Sequence, residues 1–306
     1  MIRIGLLLVL ASTAASAADQ TAPPDDAPRA PAAPEASPAP APGHPLTAPP
    51  PPWPRKYPAV GVWDYMALGA LAIGNIAIVF TPVPEPATWT GGILFDDWVR
   101  GGLRFGAANA RSAASSASDW LIAILAVFPI ADAWFDAGLA RGRPDVAWRL
   151  TVIDTEALLT TTFITLGAQR LIARQRPWVA ACLKDPTGAD CSTGSAANTS
   201  FPSGHTSVAF TSAVLECVNH GEMDVERKGW SVAACPLTLS LATLTGILRI
   251  ASDRHYASDV VVGALLGAGI GYLVPTLHFM LAPKDLTTVA PVVSPDYVGL
   301  ALTGRF

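Results

Sequence analysis

The chain has 306 residues, of which 51% are hydrophobic and only 14% charged; its mean hydropathy is +0.37. That excludes a disordered protein, which is polar and highly charged, and argues against an ordinary soluble domain, where about 25% of residues carry charge. A net charge of −4 at neutral pH leaves no basic footprint for nucleic acid.

In chain order, residues 1–18 read as an export leader. Arg3 gives a positive start, Ile4 to Leu10 a short apolar core, and Ala15-Ser16-Ala17 a small-residue cleavage pattern. The core is too short to span a bilayer unaided. Residues 19–58 form a Pro-rich linker: fifteen of the 28 prolines fall between Pro23 and Pro58. Proline lacks an amide proton and fixes φ, so neither helix nor sheet is expected there, only an extended arm.

Residues 59–283 carry about six apolar stretches, at roughly 62–81, 119–139, 147–173, 204–219, 232–250 and 258–282. Val260 to Leu281 is nearly free of charge and long enough to span a bilayer. Gly263, Gly267, Gly269 and Gly271 would let a neighbouring helix approach closely, in a membrane or in a soluble bundle. Asp132, Asp136, Asp154 and Glu156 interrupt two stretches. A membrane tolerates them only facing the bundle interior. The expected fold class is all-α, a helical bundle embedded in a membrane, with a soluble periplasmic bundle as the second reading. Between 82 and 118 an amphipathic interfacial helix and a plain connecting loop both fit. In the tail, 284–306, Val289–Val293 and Val298–Leu302 flank Ser294-Pro295-Asp296 and read as a short β-hairpin.

The cysteines Cys182, Cys191, Cys217 and Cys235 are an even set with no Cys-x-x-Cys spacing, which argues against zinc. In an exported chain Cys182 and Cys191 make a natural disulfide across a short loop. Cys217 and Cys235 read equally as buried thiols or as a second pair.

Reactive side chains gather where apolar runs stop. Arg176 precedes Pro177, which disfavours helix at the residue before it. A planar guanidinium therefore sits where helix gives way to loop, a fork suited to phosphate oxygens. Pro202-Ser203-Gly204-His205 reads as a helix start, whose free amides form an anion site. His255 and Asp259 are four apart and share a face if that segment is helical, with Arg249 six residues before His255. A carboxylate that accepts from one imidazole nitrogen raises the basicity of the other. Each cluster alone is commonly structural. Together they supply what phosphoryl transfer needs: cations and amides for the oxygens, an imidazole to attack and another to protonate the leaving oxygen.

Arg176-Pro177, Pro202-Ser203-Gly204-His205 and Arg249, His255 and Asp259, in this order and spacing, resemble the type 2 phosphatidic acid phosphatase and vanadium haloperoxidase superfamily. Its signature is Lys-x6-Arg-Pro, Pro-Ser-Gly-His and Ser-Arg-x5-His-x3-Asp, and the resemblance covers roughly 59–283. Two positions depart. Gln169 stands at the family's lysine and Leu248 at the serine before Arg249. Gln169 lies nearly two helical turns before Arg176, on the same face; it can donate a hydrogen bond but brings no charge. Arg170 and Arg174 point elsewhere on an ideal helix.

The resemblance implies a helical bundle in which His255 attacks phosphorus to form a phosphohistidine, Asp259 orients it and His205 protonates the leaving alkoxide. Arg176, Arg249, Ser203, the Gly204 amide and Gln169 would hold the phosphoryl oxygens. No metal or other cofactor is implied; vanadate enters only under the haloperoxidase alternative, with His255 as its ligand. The expected activity is hydrolysis of a phosphate monoester or pyrophosphate of a membrane lipid. The alternatives are a soluble periplasmic acid phosphatase of broad range and a vanadate-dependent haloperoxidase. The expected partners are the phosphorylated lipid and the membrane, with no obligate protein partner. Arg141, Arg143, Arg149, Arg227 and Lys228 fall opposite the clusters, which places the reactive face in the periplasm and the chain in the inner membrane. A cleaved leader and six full spans conflict with that orientation.

Overall fold

The computed structural model describes residues 56–184, 191, 195–224, 229–280, 288–293 and 298–303. The leader expected at 1–18, nearly all of the Pro-rich linker, Arg227, Lys228 and the turn expected at 294–296 lie outside the described residues.

Helices follow in chain order as α1 (Val62–Val79), α2 (Asp96–Leu103), α3 (Ala108–Ala133), α4 (Pro144–Ile172), α5 (Pro177–Lys184), α6 (Gly204–Met223), α7 (Trp230–Ala251) and α8 (Ala257–Met280). Local chemistry sets several ends. The Gly61 amide donates to the Asp64 carboxylate (2.5 Å) and closes the first turn of α1. Pro144 opens α4, where a missing amide proton costs no helix bond. At its other end Ala173 takes φ 41°, in the left-handed region, and turns the chain out of the helix. α3 runs on through a wider π-helical turn, Trp134–Ala140.

The apolar stretches became six long helices that run alternately up and down. The Ala59 amide donates to the His278 carbonyl near the end of α8 (3.0 Å), so α1 starts beside the end of α8. α1 finishes where Arg170, near the end of α4, donates to the carbonyls of Thr81 and Val79 (3.0 and 3.3 Å). The ends of α1, α4 and α7 and the starts of α3, α6 and α8 therefore share one end of the bundle, called here the upper end. The second stretch begins at Ala108 rather than 119, because an alanine-rich segment forms helix by propensity without being strongly apolar. Residues 82–118 resolve into loop, the short amphipathic α2 and the first turns of α3. On α2 Asp96 is buried while Trp98 is exposed.

Among the described residues four helices, α1, α3 with its extension, α7 and α8, are long and apolar enough to cross a membrane. Ile73, Phe80, Trp120, Phe135, Leu265 and Met280 all point outward, each more than two-thirds exposed. An apolar surface of that extent belongs against lipid, and the chain is a membrane protein. α4 and α6 carry the charged and hydroxyl side chains inward; Asp154, Thr161, Thr165, Thr211 and Glu216 are all buried. Strands β1 (Thr288–Val293) and β2 (Val298–Thr303) pair antiparallel, Val293 opposite Val298, close to the expected hairpin. Cys182 is bonded to Cys191, and Cys217 on α6 to Cys235 on α7, so the second pair also forms a disulfide.

The closest seam is α6 against α8. A Cβ on Gly263 would lie 2.7 Å from the Ser203 carbonyl, on Gly267 2.0 Å from that of Ser207, and on Gly271 2.6 Å from that of Thr211. Three glycines spaced by four make one helical stripe, and backbone meets backbone along it. Gly269 lies off the stripe, in open space. Gly267→Ala should cost about 3 kcal/mol through overpacking. Gly269→Ala should be neutral or stabilising by up to about 1 kcal/mol. Thermal unfolding in detergent checks this, and equal losses for both would contradict the seam.

Candidate active site

The left-handed turn at Ala173 is where the site begins. It swings Arg174 away from the α4 spiral and into the upper end, where its side chain is wholly buried. Nη1 donates to Asp259 Oδ1 (2.5 Å) and Ser258 Oγ (2.8 Å); Nη2 donates to Asp96 Oδ2 (2.8 Å) and the Gly91 carbonyl (2.9 Å). The guanidinium is stacked between Trp89 and Tyr256, 3.9 and 4.2 Å from the ring centres. A planar cation with five donors is the side chain able to do all of this at once. Asp96, also buried, accepts from the Ile93 and Ser258 amides as well. Its carboxyl lies below the usual range: burial pushes it up, but these donors and Arg174 outweigh that.

Asp259, fixed by Arg174, fastens two more segments. Its Oδ2 accepts from Ser200 Oγ (2.6 Å) and the Tyr256 amide (2.8 Å), and its main-chain carbonyl accepts from the Ser203 amide (3.0 Å). The direct His255–Asp259 hydrogen bond expected from their spacing does not form: Nδ1 and Oδ2 are 3.9 Å apart. The reason is local, since His255 precedes the first residue of α8 and the four-residue rule holds only within a helix. Nδ1 instead meets the Ser200 carbonyl at 2.7 Å. A carbonyl can only accept, so Nδ1 carries the proton and Nε2 keeps its lone pair. Asp259 orients the imidazole through Ser200.

His255 is buried, and its pKa is held well below 6.5, first by burial and then by Arg176, Arg249 and His205. Arg176, His205, Arg249 and His255, drawn from all three motifs, are therefore within electrostatic reach of one another. Arg176 Nη2 touches Thr199 Oγ1 (3.2 Å), while its Nε is buried without a hydrogen-bond partner, as is Nε of Arg249. Burial and then Arg254 push the Arg176 pKa down to about 10, so it remains a cation at neutral pH. Arg249 Nη1 donates to Ser118 Oγ and Asp119 Oδ1 (3.2 and 3.1 Å), and the same Asp119 oxygen meets His205 Nε2 at 2.7 Å. Asp119 thus bridges the two groups to which the resemblance gives the phosphoryl and leaving oxygens.

The remaining expected residues sit behind these. Gly204 opens α6, and its amide is among those no helix carbonyl can accept. Ser203 is buried with its hydroxyl on Thr206 Oγ1 (2.9 Å). Gln169 is buried and donates to the Pro202 carbonyl (2.9 Å), so its amide nitrogen braces the Pro202–Gly204 turn. The lysine's charge is not replaced there.

Sequence reasoning missed Arg174, Asp96, Ser200 and Asp119. It also missed Arg254, which lies within reach of both Arg176 and Arg249. Arg254 adjoins His255 in the chain, a signal that was available. The geometry of an ideal helix turns Arg174 away from the motif face, and the left-handed Ala173 breaks that geometry.

The family model for the PAP2 superfamily matches residues 120–282, more than half of the chain and all three motifs. The chain belongs to the PAP2 superfamily. Over 81 residues it is 46% identical to a lipid A 1-phosphatase of Porphyromonas gingivalis, covering 26% of this chain and 16% of that protein. Over 79 residues it is 38% identical to a probable diacylglycerol pyrophosphate phosphatase 1 of Schizosaccharomyces pombe, covering 24% and 28%. The chain thus spans less than a third of the length of either relative. Among solved structures it resembles a transmembrane PAP2-type phosphatidylglycerolphosphate phosphatase of Bacillus subtilis, with TM-score 0.41, 17% identity, and coverage of 73% of this chain and 96% of that one.

The depressed His255 pKa sets a pH dependence. Under the role that the resemblance implies for His255, neutral imidazole is the attacking form, so activity should persist as pH falls below 6.5 and be lost near the lowered pKa. Removing a neighbouring cation raises that pKa. Arg176→Gln should lower turnover and also move the acid limb of kcat/KM to higher pH; a reduced profile with an unmoved limb would separate Arg176 from His255.

Proposed function

We propose that this protein is a lipid phosphatase that hydrolyses a phosphate monoester or pyrophosphate at the membrane surface, through a phosphohistidine and without a catalytic metal. The observation that carries it is His255: a buried imidazole with Nδ1 held by the Ser200 carbonyl, Nε2 left to attack, and Arg176 and Arg249 beside it. Nε2 attacks phosphorus and the bond to the leaving oxygen breaks as His205 gives that oxygen its proton. Water then attacks phosphorus, His205 takes a water proton, and the N–P bond breaks to free phosphate and neutral His255. Arg176, Arg249 and the α6 amides hold the charge on the phosphoryl oxygens throughout.

The lipid substrate is supported by where the pocket lies. Leu94 and Trp98 are exposed at the upper end, 90% and 82%, and Phe95 and Phe105 lie beside them. These apolar side chains lie at the same end of the bundle as His255, which suits a substrate whose acyl chain stays in lipid while its headgroup approaches that end. The names of both relatives also specify phosphates carried on lipids.

Purified protein in detergent should release phosphate from one or more of phosphatidate, diacylglycerol pyrophosphate, phosphatidylglycerol phosphate, lipid A and isoprenyl pyrophosphate, with vanadate inhibiting. His255→Ala should fold and lose at least about a thousandfold in turnover. Retained turnover in that variant would overturn the nucleophile, and bromination on adding vanadate and peroxide would favour the haloperoxidase alternative.

The orientation proposed is a periplasmic upper end in the inner membrane of a bacterial-type envelope. Its support is that Arg141, Arg143 and Arg149 cluster at the lower end, as cytoplasmic arginines do; the disulfides do not separate the two ends, since Cys182–Cys191 lies on the upper side and Cys217–Cys235 near the lower end. Since α1 starts at the lower end, this orientation and a cleaved leader at 1–18 exclude each other. A reporter fused after Gly142 should be active in the cytoplasm; periplasmic activity there would reverse the site.

A further inference from the structure

The lower end holds a second constellation that phosphoryl transfer does not use. Asp132 comes from α3, and Glu216, Asn219 and His220 from α6. They line one cavity of about 10 Å³, room for a single water-sized species. His220 lies 16 positions after Gly204 on the same helix, so the cavity is about 24 Å from the phosphatase pocket.

Its charge does not balance. Asp132, Glu216 and Asp154 bring three carboxylates into the bundle, and Asp154 joins through Asn219 Nδ2 (3.0 Å). Among the described residues their polar partners are His220, Trp230 and Asn219. His220 alone meets both Asp132 and Glu216, so two carboxylates share one imidazole inside a membrane bundle, where unpaired ions are costly. Arg141 pairs with Asp136, which also lines the cavity, and with Asp224.

The geometry is that of a ligand set. Ligand atoms of Asp132, Glu216 and His220 all lie within 4.8 Å of one another. His220 Nε2 is 2.9 Å from Asp132 Oδ2 and 3.4 Å from Glu216 Oε2. Tetrahedral bonds of 2.0–2.1 Å put neighbouring ligands about 3.3 Å apart. Two buried polar atoms are also without partners. Asn219, 6% exposed, lines the cavity with Oδ1 unbonded, and His220, 3% exposed, has Nδ1 unbonded. That Nδ1 faces Asp224 Oδ2 at 3.7 Å, the carboxylate that a metal-bound histidine commonly uses to fix its ring. Trp230 Nε1 holds Asp132 from the other side (2.6 Å).

We propose that this cluster binds one divalent transition-metal ion, with Zn²⁺ as the best match to its nitrogen and oxygen donors. Asp132, Glu216 and His220 are ligands, and the Asn219 carboxamide oxygen or a water is the fourth. The ion cancels the charge deficit and ties α3 to α6 at the end away from the phosphatase pocket. It takes no part in the reaction, so the proposal stands or falls separately from the phosphatase assignment.

The test is equilibrium dialysis of the full chain in detergent against Zn²⁺ alone after chelator treatment, with metal measured by mass spectrometry. One equivalent per chain is expected. Glu216→Gln with His220→Ala should weaken binding by more than the about 10–100-fold that second-shell changes cost. His278→Ala, in the separate Asp64, Glu156 and His278 group, should leave it intact. Co²⁺ in the wild-type chain should give the intense visible bands of a four-coordinate site, a readout that needs no variant. No bound equivalent, an aquo-like Co²⁺ spectrum, or a site lost with His278 and kept without His220 would each overturn the proposal.

Discussion

The upper end depends on one buried cation. Arg174 joins the loop at Gly91, the start of α2 at Asp96 and the start of α8 at Asp259, while two aromatic rings shield it from water. A buried charge persists when opposite charges meet it: here two carboxylates accept from the Nη atoms, while Nε has no hydrogen-bond partner. Removing one partner of such a pair typically costs about 3–5 kcal/mol, because the survivor is left charged and unpaired. Asp259 passes this rigidity on, through Ser200 to the His255 ring and through its own carbonyl to Ser203 at the mouth of α6. The imidazole is thus placed by a chain of hydrogen bonds that starts three elements away.

The glycine stripe of α8 serves the same end by a different force. Without side chains at Gly263, Gly267 and Gly271, α8 lies directly on the backbone of α6. Since α6 starts beside His205 and α8 just after His255, the close seam brings the two histidine-bearing ends together. Dispersion and backbone contact hold this seam, in an environment where lipid offers apolar side chains no gain from leaving water.

The bundle separates its polar groups by depth. The outer helices α1, α3, α7 and α8 present apolar faces, whereas α4 and α6 carry hydroxyls and charges inward. Threonines such as Thr161 and Thr211 bond each other and their own helix carbonyls (2.8 and 2.9 Å), whereas Thr165 Oγ1 is buried without a hydrogen-bond partner. Charge collects at the two ends, in a cationic pocket above and in a carboxylate-rich cluster below. The two differ in sign, and so they suit different ligands: a phosphoryl group and a metal cation.

The sequence by itself determined the long helices, the three motifs and their order, because hydropathy and residue spacing are properties of the chain in one dimension. It also singled out the glycines of α8 and marked Cys182 with Cys191 as a pair. It could not show which of four glycines meet a neighbour, nor whether Cys217 and Cys235 are joined, since both depend on how α6 faces α7 and α8. Only the tertiary structure gave Arg174 its place, because one left-handed residue at Ala173 overrides the helical geometry that sequence spacing assumes. Only it put a carbonyl rather than a carboxylate on His255, and Asp119 between Arg249 and His205. Those contacts join residues 55 to 130 positions apart, and no local pattern records which distant segment a folded chain brings back.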